Sequence, residues 1–226
     1  GYNAVVTCGG VQSNHNRAIA LMAARNGWKC HLCIQGSRDR FESEKGNALL
    51  CRVSGAECEC INAKDTAQAM DRAMEELARE GYKPFYIHGG GHDLPGGTCF
   101  VDAVAELKHQ CSRSGYKPDY IFLASGTGST QAGIVVGLDL VGWSDVKVVG
   151  ISVARQAERG RQGIVDFANY LGGYYGLDKD FASAIHFTAD YLCGGYESFS
   201  EDMERTLSDV MKATGIPFDT TYSGKG

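Results

Sequence analysis

Short apolar runs alternate along the chain with longer stretches in which apolar positions recur at helical spacing. The apolar runs predict strands at 4–8, 29–34, 57–61, 85–88, 120–124 and 147–153, with a weak one at 218–222. The stretches of helical spacing predict helices at 14–26, 42–54, 66–80, 98–114, 130–140, 156–171 and 200–214. Four of these helices are followed directly by a glycine, which is a common helix stop: Gly27, Gly81, Gly115 and Gly215.

Regular alternation of strands and helices is typical of parallel sheets covered by helices on both faces. The pattern is interrupted at 89–97, where five glycines and a proline occur among nine residues. We therefore predict an α/β protein made of two open parallel-sheet lobes, 1–92 and 93–226, with a cleft between them.

The charge balance excludes several classes of partner. The chain has 22 Lys and Arg against 27 Asp and Glu, a net charge of −5, so a basic nucleic-acid-binding face is not expected. The longest apolar run, 133–143, is interrupted by Asp139 and is too short to span a bilayer. The composition predicts a globular protein that binds neither nucleic acid nor membrane.

The nine cysteines do not form a recognisable metal motif. An odd number of cysteines in an α/β chain of this length suits a reducing compartment, and we predict a cytoplasmic location. Cys30 and Cys33 form a C-x-x-C pair, but on a strand residues i and i+3 point to opposite faces. Cys58 and Cys60 have no second pair at zinc-ribbon spacing, so we predict no metal site.

The ends of the sequence suggest that it is part of a longer polypeptide. It has no initiator methionine, it enters a predicted strand within four residues, and it stops just after a predicted turn. We expect an internal piece, incomplete at both ends.

The segment 9–17, between the first strand and the first helix, is dense in polar groups. Two glycines and a valine precede six consecutive polar residues, Gln12, Ser13, Asn14, His15, Asn16 and Arg17. Ser13 or Asn14 could simply cap the helix, since both are favoured N-cap residues. A cap needs one polar residue, so the length of the run favours a binding site at the carboxyl end of the strand.

The segment 125–133 resembles a cradle for a phosphate group. Glycines let the backbone approach a ligand closely, four hydroxyls add donors, and the helix that follows directs free amides toward the loop. It is neither a Walker A loop, because no lysine follows the last glycine, nor a G-x-G-x-x-G loop. Segments 194–197, with Tyr196, and 220–225 carry weaker signals of the same kind.

Together the segments 7–15, 126–133 and 222–225 resemble one family from the first strand to the last residue. That family is the aminocyclopropane-carboxylate deaminase and D-cysteine desulfhydrase group of pyridoxal-phosphate (PLP) enzymes, which has the tryptophan-synthase β-type fold, or fold type II. The resemblance implies PLP as cofactor, a small amino acid as substrate, and a homodimer for the complete protein. It makes 1–92 the small cofactor and substrate lobe and 93–226 part of the large phosphate-binding lobe.

The resemblance also implies roles for single residues. Asn14 would bind the phenolic oxygen of the cofactor, and Ser223 would face its pyridine nitrogen. Ser13 would act as nucleophile or proton shuttle, with Gln12 and His15 on the substrate side. Tyr196 and Tyr222 would line the substrate side as catalytic groups. The phosphate would be held by Gly126, Thr127, Gly128, Ser129 and Thr130.

Ser223 and His15 favour one branch of this family over the other. In the deaminase branch of the family, the position that corresponds to Ser223 looks to be held by a glutamate. A hydroxyl at this position leaves the pyridine nitrogen largely neutral, which is enough for β-elimination. The motif Ser-Asn-His at 13–15 resembles that of the desulfhydrases, whereas the corresponding motif of the deaminases looks to be Ser-Asn-Gln. We therefore expect elimination from a small amino acid similar to D-cysteine. The alternatives are a ring-opening aminocyclopropane-carboxylate deaminase and a module that binds a phosphorylated ligand without catalysis.

Two departures from the family pattern stand out. The lysine that holds the cofactor covalently lies upstream of the Ser-Asn motif in a Gly-Gly-Asn-Lys type of segment, and no lysine here has that context. Lys225 belongs to a different motif. In addition, Gly91-His92-Asp93 stands where the family tends to have Gly-Ser-Asn.

Overall fold

The computed structural model describes all 226 residues. They divide into two compact units, Gly1–His92 (unit 1) and Asp93–Gly226 (unit 2). None of the helices is both long enough and apolar enough to cross a membrane.

Unit 1 contains a sheet of four parallel strands in the order β3-β2-β1-β4. The strands are β1 (Ala4–Gly10), β2 (Lys29–Gln35), β3 (Glu57–Ile61) and β4 (Pro84–Tyr86). The helices are α1 (Asn14–Asn26), α2 (Arg38–Ser43), α3 (Asn47–Val53) and α4 (Thr66–Arg79). Alternation of strand and helix therefore predicted the parallel sheet correctly.

Both faces of this sheet are covered. One face packs Val5, Cys30 and Leu32 against residues of α1 and α3. The other face packs Val6 and Cys33 against α4. Cys30 and Cys33 thus lie on opposite faces, as the strand periodicity predicted.

The predicted single helix at 42–54 is wrong. The chain leaves α2 at Glu44, which has an extended backbone, and Gly46 has φ +66° before α3 begins. A left-handed glycine is incompatible with a continuous right-handed helix, so the segment forms two short helices instead of one.

Unit 2 contains a sheet of three parallel strands, β5 (Tyr120–Ser125), β6 (Lys147–Ser152) and β7 (His186–Thr188), in that order. Its helices are α5 (Leu94–Ser114), α6 (Ser129–Leu140), α7 (Ala157–Tyr174) and α8 (Glu201–Thr214). A single apolar core joins the strands to α5, α6 and α7. The parallel sheet was predicted, but β7 was missed because three residues are too short for a periodic signal.

The predicted strand at 218–222 is also wrong, because the chain from Asp219 to Lys225 is a turn. The Asp219 carboxylate accepts hydrogen bonds from the amides of Thr221, Tyr222 and Ser223. Amides bound to a local side chain are not available to a neighbouring strand, so the carboxylate selects the turn.

Candidate cofactor and substrate residues

The predicted phosphate loop of unit 2 joins the end of β5 to the start of α6. None of the backbone amides from Gly126 to Gln131 donates a hydrogen bond, and α6 has no side-chain cap. No acidic residue occupies the first turn of α6. A helix start with unpaired amides and no negative charge is a favourable place for an anion.

Gly128 shapes this loop. Its φ of +95° is a conformation that L side chains rarely adopt, and a Cβ there would lie 2.5 Å from Ile164 Cγ1. Both the backbone and the packing therefore require glycine, and its absence of a side chain lets the loop lie against Ile164 of α7.

Hydroxyl groups lie within the loop and at both of its ends. Thr127 Oγ1 lies 3.2 Å from Ser129 Oγ. Ser125 is 2% exposed, and its Oγ has no hydrogen-bond partner. Buried polar groups in folded proteins are normally hydrogen-bonded. The unpaired Ser125 hydroxyl is therefore a candidate contact for a polar ligand. Of the five predicted phosphate-binding residues, Gly126, Thr127 and Gly128 form this loop, and Ser129 and Thr130 begin α6.

Tyr196 and Tyr222 also come together, with their hydroxyl oxygens 3.2 Å apart and their rings edge to face. Burial, together with the hydrogen bond to Tyr222, raises the pKa of Tyr196, so this phenol stays protonated at neutral pH. The Tyr222 ring lies beside the phosphate loop, 3.7 Å from the position that a Cβ on Gly126 would take. Tyr222 is therefore a neighbour of the loop within unit 2, and Tyr196 contacts Tyr222.

The Ser223 hydroxyl is hydrogen-bonded to Asp219 within the final turn. It donates its hydrogen to Asp219 Oδ2 at 2.7 Å and accepts from the Asp219 amide at 2.9 Å. A hydroxyl has one hydrogen, so Ser223 can offer only a lone pair to a further group. The position of Ser223 opposite the pyridine nitrogen stays a prediction.

Lys225 anchors the same turn. Its Nζ is buried and donates to the carbonyls of Leu192, Gly195 and Val153, at 3.0, 2.7 and 3.4 Å. Burial lowers the pKa of this amine. Lys225 thereby ties the final turn to the loop that carries Tyr196.

In unit 1, Ser13 is the N-cap of α1. Its Oγ accepts a hydrogen bond from the Asn16 amide at 3.1 Å, and the residue is 8% exposed. The simple capping interpretation therefore holds for Ser13, although its hydroxyl hydrogen remains available to another acceptor.

The side chain of Gln12 is committed within unit 1. Its Nε2 donates to Glu44 Oε2 and to the Lys45 carbonyl, and its Oε1 accepts from the amide of Asn47 at 3.0 Å. These bonds hold the start of α3, which Gly46 leaves without a side-chain cap of its own. Gln12 thus positions the start of α3, and its predicted contact with the substrate stays a prediction.

Asn14 is oriented by Asn47. Asn47 Nδ2 donates to Asn14 Oδ1 at 2.8 Å and to the Gln12 carbonyl at 3.0 Å. Because the oxygen of the Asn14 amide is occupied, its two N–H groups point elsewhere and can donate. That is the polarity which the predicted contact with a phenolic oxygen requires.

His15 is held in one tautomer. Its Nε2 lies 2.8 Å from Thr7 Oγ1, and Thr7 donates its only hydroxyl hydrogen to the carbonyl of Ile87 at 2.8 Å. Thr7 must therefore accept, so Nε2 carries the hydrogen and Nδ1 is the acceptor of the neutral ring. Burial lowers the pKa of His15, which favours this neutral form.

Three residues that position these groups were missed from the sequence: Thr7, Asn47 and Asp219. Asp219 had a local signal, since an aspartate two and three residues before turn amides is typical of an Asx-turn. Thr7 and Asn47 act on residues 8 and 33 positions away, and no local pattern indicates such partners.

A glycine-rich loop with unpaired amides at the carboxyl end of a parallel strand is typical of α/β enzymes that bind a phosphorylated cofactor. The sequence pattern of the pyridoxal-phosphate dependent enzyme family matches residues 1–225. The chain belongs to this family.

Relatives and a solved structure narrow the similarity. The 1-aminocyclopropane-1-carboxylate deaminases of Ralstonia nicotianae and Ralstonia pickettii are 34% and 36% identical over the whole chain, which covers 69% of each. A crystal structure of a homologue of that deaminase matches this chain with a TM-score of 0.87 and 31% sequence identity. The match covers all of this chain and 67% of the homologue's chain. A threonine deaminase structure, with a TM-score of 0.61 and 17% identity, shows the shared fold alone. The chain is a fold type II, PLP-dependent enzyme of the aminocyclopropane-carboxylate deaminase type.

The residues present fit PLP. The phosphate of PLP needs several donors, and the loop offers six unpaired amides, from Gly126 to Gln131, and the orphan hydroxyl of Ser125. The neighbouring Tyr222 ring supplies an aromatic surface beside the loop.

Proposed function

We propose that this protein is a PLP-dependent lyase that removes the β-substituent of a small amino acid, with D-cysteine as the first substrate to test. The observation that carries the proposal is the fixed neutral tautomer of His15, two residues from Ser13. A neutral imidazole with Nδ1 as acceptor can accept a hydrogen bond or a proton from a substrate group. The glutamine side chain expected at this position in a deaminase is an amide, which cannot accept a proton at neutral pH.

We propose that the loop of unit 2 anchors the cofactor by its phosphate. The amides of 126–131 and the hydroxyls of Thr127, Ser129 and Thr130 can surround its oxygens, with the α6 dipole favouring the negative charge. When bound, PLP supplies an electron sink for the pair released from the substrate Cα–H bond.

The proton-handling groups of the chain are Ser13, His15 and the tyrosine pair. Ser13 Oγ already accepts the Asn16 amide, so it can donate its own hydrogen while that contact stabilises negative charge on the oxygen. Tyr196 stays protonated and hydrogen-bonded to Tyr222, so the pair can donate a hydrogen to a departing group. We propose that the hydroxyls of this tyrosine pair serve the β-substituent as it leaves.

A second candidate, ring-opening deamination of aminocyclopropane-carboxylate, is favoured by the bond between Ser223 and Asp219. The Ser223 hydroxyl donates to a carboxylate and presents a lone pair, which suits a protonated ring nitrogen better than a neutral one. The relatives named above are deaminases of this kind.

The experiment is a substrate comparison on the full-length protein loaded with PLP. D-Cysteine would yield pyruvate, ammonia and sulfide; aminocyclopropane-carboxylate would yield 2-oxobutanoate and ammonia without sulfide. Sulfide release with D-cysteine and no 2-oxobutanoate supports the proposal, and the opposite result establishes the second candidate. If PLP binds but neither substrate turns over, the phosphate-binding interpretation replaces both.

The variant Ser223→Glu separates the two chemistries further. A carboxylate in direct contact would keep the ring nitrogen protonated, so we expect D-cysteine elimination to slow by about tenfold, a barrier increase of roughly 1.4 kcal/mol. Ser223→Ala is the matched control for loss of the hydroxyl. An unchanged elimination rate in Ser223→Glu would remove the argument from the ring nitrogen.

A further inference from the structure

A cluster of potential metal ligands lies on the sheet of unit 1, outside the residues considered so far. One atom each from His31, Cys33 and Glu59 lie within 4.8 Å of one another. His31 and Cys33 alternate along β2, and the parallel register sets them beside Glu57 and Glu59 of β3. Side chains of paired residues share a face, so the grouping follows from the register of the two strands.

From this geometry we propose that His31, Cys33 and Glu59 form a binding site for a divalent cation of the zinc class. Imidazole nitrogen, thiolate sulfur and carboxylate oxygen are the three ligand types of zinc, and three protein ligands leave a fourth position for water. Bonds of about 2.0–2.3 Å place tetrahedral ligand atoms roughly 3.3–3.8 Å apart. His31 Nε2 and Glu59 Oε2 are already separated by 3.5 Å.

His31 supplies the independent sign that a ligand belongs here. The residue is 6% exposed, and its Nε2 has no hydrogen-bond partner although it faces Glu59. A buried nitrogen without a partner is uncommon, and a cation between it and the carboxylate would satisfy both.

Glu57 and Arg72 border the cluster in the way that outer-shell residues border a metal-ligating histidine. Glu57 Oε2 lies 3.8 Å from His31 Nδ1, on the opposite side of the ring from Glu59. A carboxylate behind a ligating histidine fixes the ring and increases the basicity of the coordinating nitrogen. Arg72 bonds to Glu59 Oε1 and leaves Oε2 directed at His31.

The charges balance when the cation binds. The Cys33 thiol releases its proton to solvent as the sulfur–metal bond forms. In formal charges, the Cys33 thiolate and the carboxylates of Glu57 and Glu59 then balance the divalent cation and the Arg72 guanidinium, which limits the cost of placing the cation beside buried groups. An open depression bordered by Glu59, Gln68 and Arg72 lies on the Glu59 side of the cluster.

The test is Co²⁺ titration of the full-length protein, followed by displacement with Zn²⁺. We expect one Co²⁺ per chain with a thiolate-to-cobalt charge-transfer band that Zn²⁺ abolishes. Cys33→Ala should remove the band, whereas the matched control Cys30→Ala should retain it, because Cys30 is equally buried in β2 but faces the other side. Absence of the band in the unaltered protein, or its survival in Cys33→Ala, would overturn the site.

A second variant keeps the test independent of core packing. Glu59→Gln alters a partly exposed side chain, and we expect it to weaken Co²⁺ affinity by tenfold or more while the protein stays folded. Equal affinity in Glu59→Gln and the unaltered protein would also overturn the proposal. Neither readout depends on PLP or on turnover.

Discussion

The imidazole Nε2 of His15 lies 2.8 Å from Thr7 Oγ1, and the hydrogen between them belongs to the histidine. Thr7 has already donated its own hydrogen to the Ile87 carbonyl, so it can only accept. A buried threonine of β1 thereby determines which nitrogen of His15 is available as a base.

Replacement of Thr7 by valine should allow His15 to adopt either neutral tautomer. The Ile87 carbonyl would lose its hydroxyl donor in a buried setting, so we expect the free energy of unfolding to fall by about 1–3 kcal/mol. We also expect nitrogen NMR to show loss of the single Nε2–H tautomer. Thr7→Ser retains the hydroxyl and should retain the tautomer; a fixed tautomer in Thr7→Val would contradict the assignment.

The stability of the protein should depend on the titration of His15. Burial lowers its pKa in the folded state below the ordinary value of about 6.5, so the unfolded chain binds the extra proton first. Stability is therefore complete above about 6.5 and declines as the pH falls from there through the folded-state pKa. Denaturant unfolding at a series of pH values measures this slope. His15→Gln should reduce it, and an identical slope in that variant would exclude His15 as its source.

The phosphate loop should not tolerate a side chain at position 128. Gly128→Ala combines a left-handed backbone, costing about 1–2 kcal/mol, with a Cβ 2.5 Å from Ile164 Cγ1, and it should weaken PLP binding at least tenfold. Absorbance titration with PLP measures the affinity, and the same titration with pyridoxal, which lacks the phosphate, should change much less.

Gly142 offers the matched control for backbone strain. It has φ +73°, and nothing lies within 4 Å of the position of its Cβ. Gly142→Ala should cost stability without altering PLP affinity. If the two alanine variants lowered PLP affinity equally, the loop would not be the phosphate site.

Asp219 should matter more to the final turn than Ser223 does. Its carboxylate accepts three amides and the Ser223 hydroxyl, so Asp219→Ala should expose residues 219–226 to proteolysis and cost roughly 1–2 kcal/mol, as loss of a capping side chain does. Ser223→Ala leaves the amide bonds intact and should be milder. Equal protease sensitivity in both variants would contradict this ranking.

The titration of Asp219 gives a second readout of the same turn. Burial raises the pKa of its carboxyl, but hydrogen bonds from Tyr222, Ser223 and Thr221 outweigh that effect and lower the pKa overall. The stabilisation is present above the unfolded-state pKa and is lost as the pH falls through the folded-state value. Protease sensitivity of the turn should therefore rise only in acid.

Lys225 should be a structural cation. Lys225→Met removes a charged donor from three carbonyls, and we expect a loss of about 1.5–3 kcal/mol together with a change in Tyr196 fluorescence. Lys212, whose side chain is 73% exposed, is the control, and Lys212→Met should change stability by less than about 0.5 kcal/mol. Similar unfolding midpoints for both variants would contradict the anchoring role.

The sequence by itself determined the alternation of strands and helices, the parallel sheets, the opposite faces of Cys30 and Cys33, and membership of a PLP enzyme family. Those conclusions depend on period, glycine placement and short motifs, all of which are local. The errors at 42–54 and 218–222 had local causes as well: a left-handed Gly46 and a carboxylate that captured the turn amides.

Only the tertiary structure decided which hydrogen each polar group holds and which side chains become neighbours. The tautomer of His15 depends on Thr7 and Ile87, the polarity of the Ser223 hydroxyl depends on Asp219, and the His31–Cys33–Glu59 cluster depends on the register of two strands. Hydrogen-bond donors and metal ligands are set by distances between atoms, and residues far apart in sequence acquire those distances only when the chain folds.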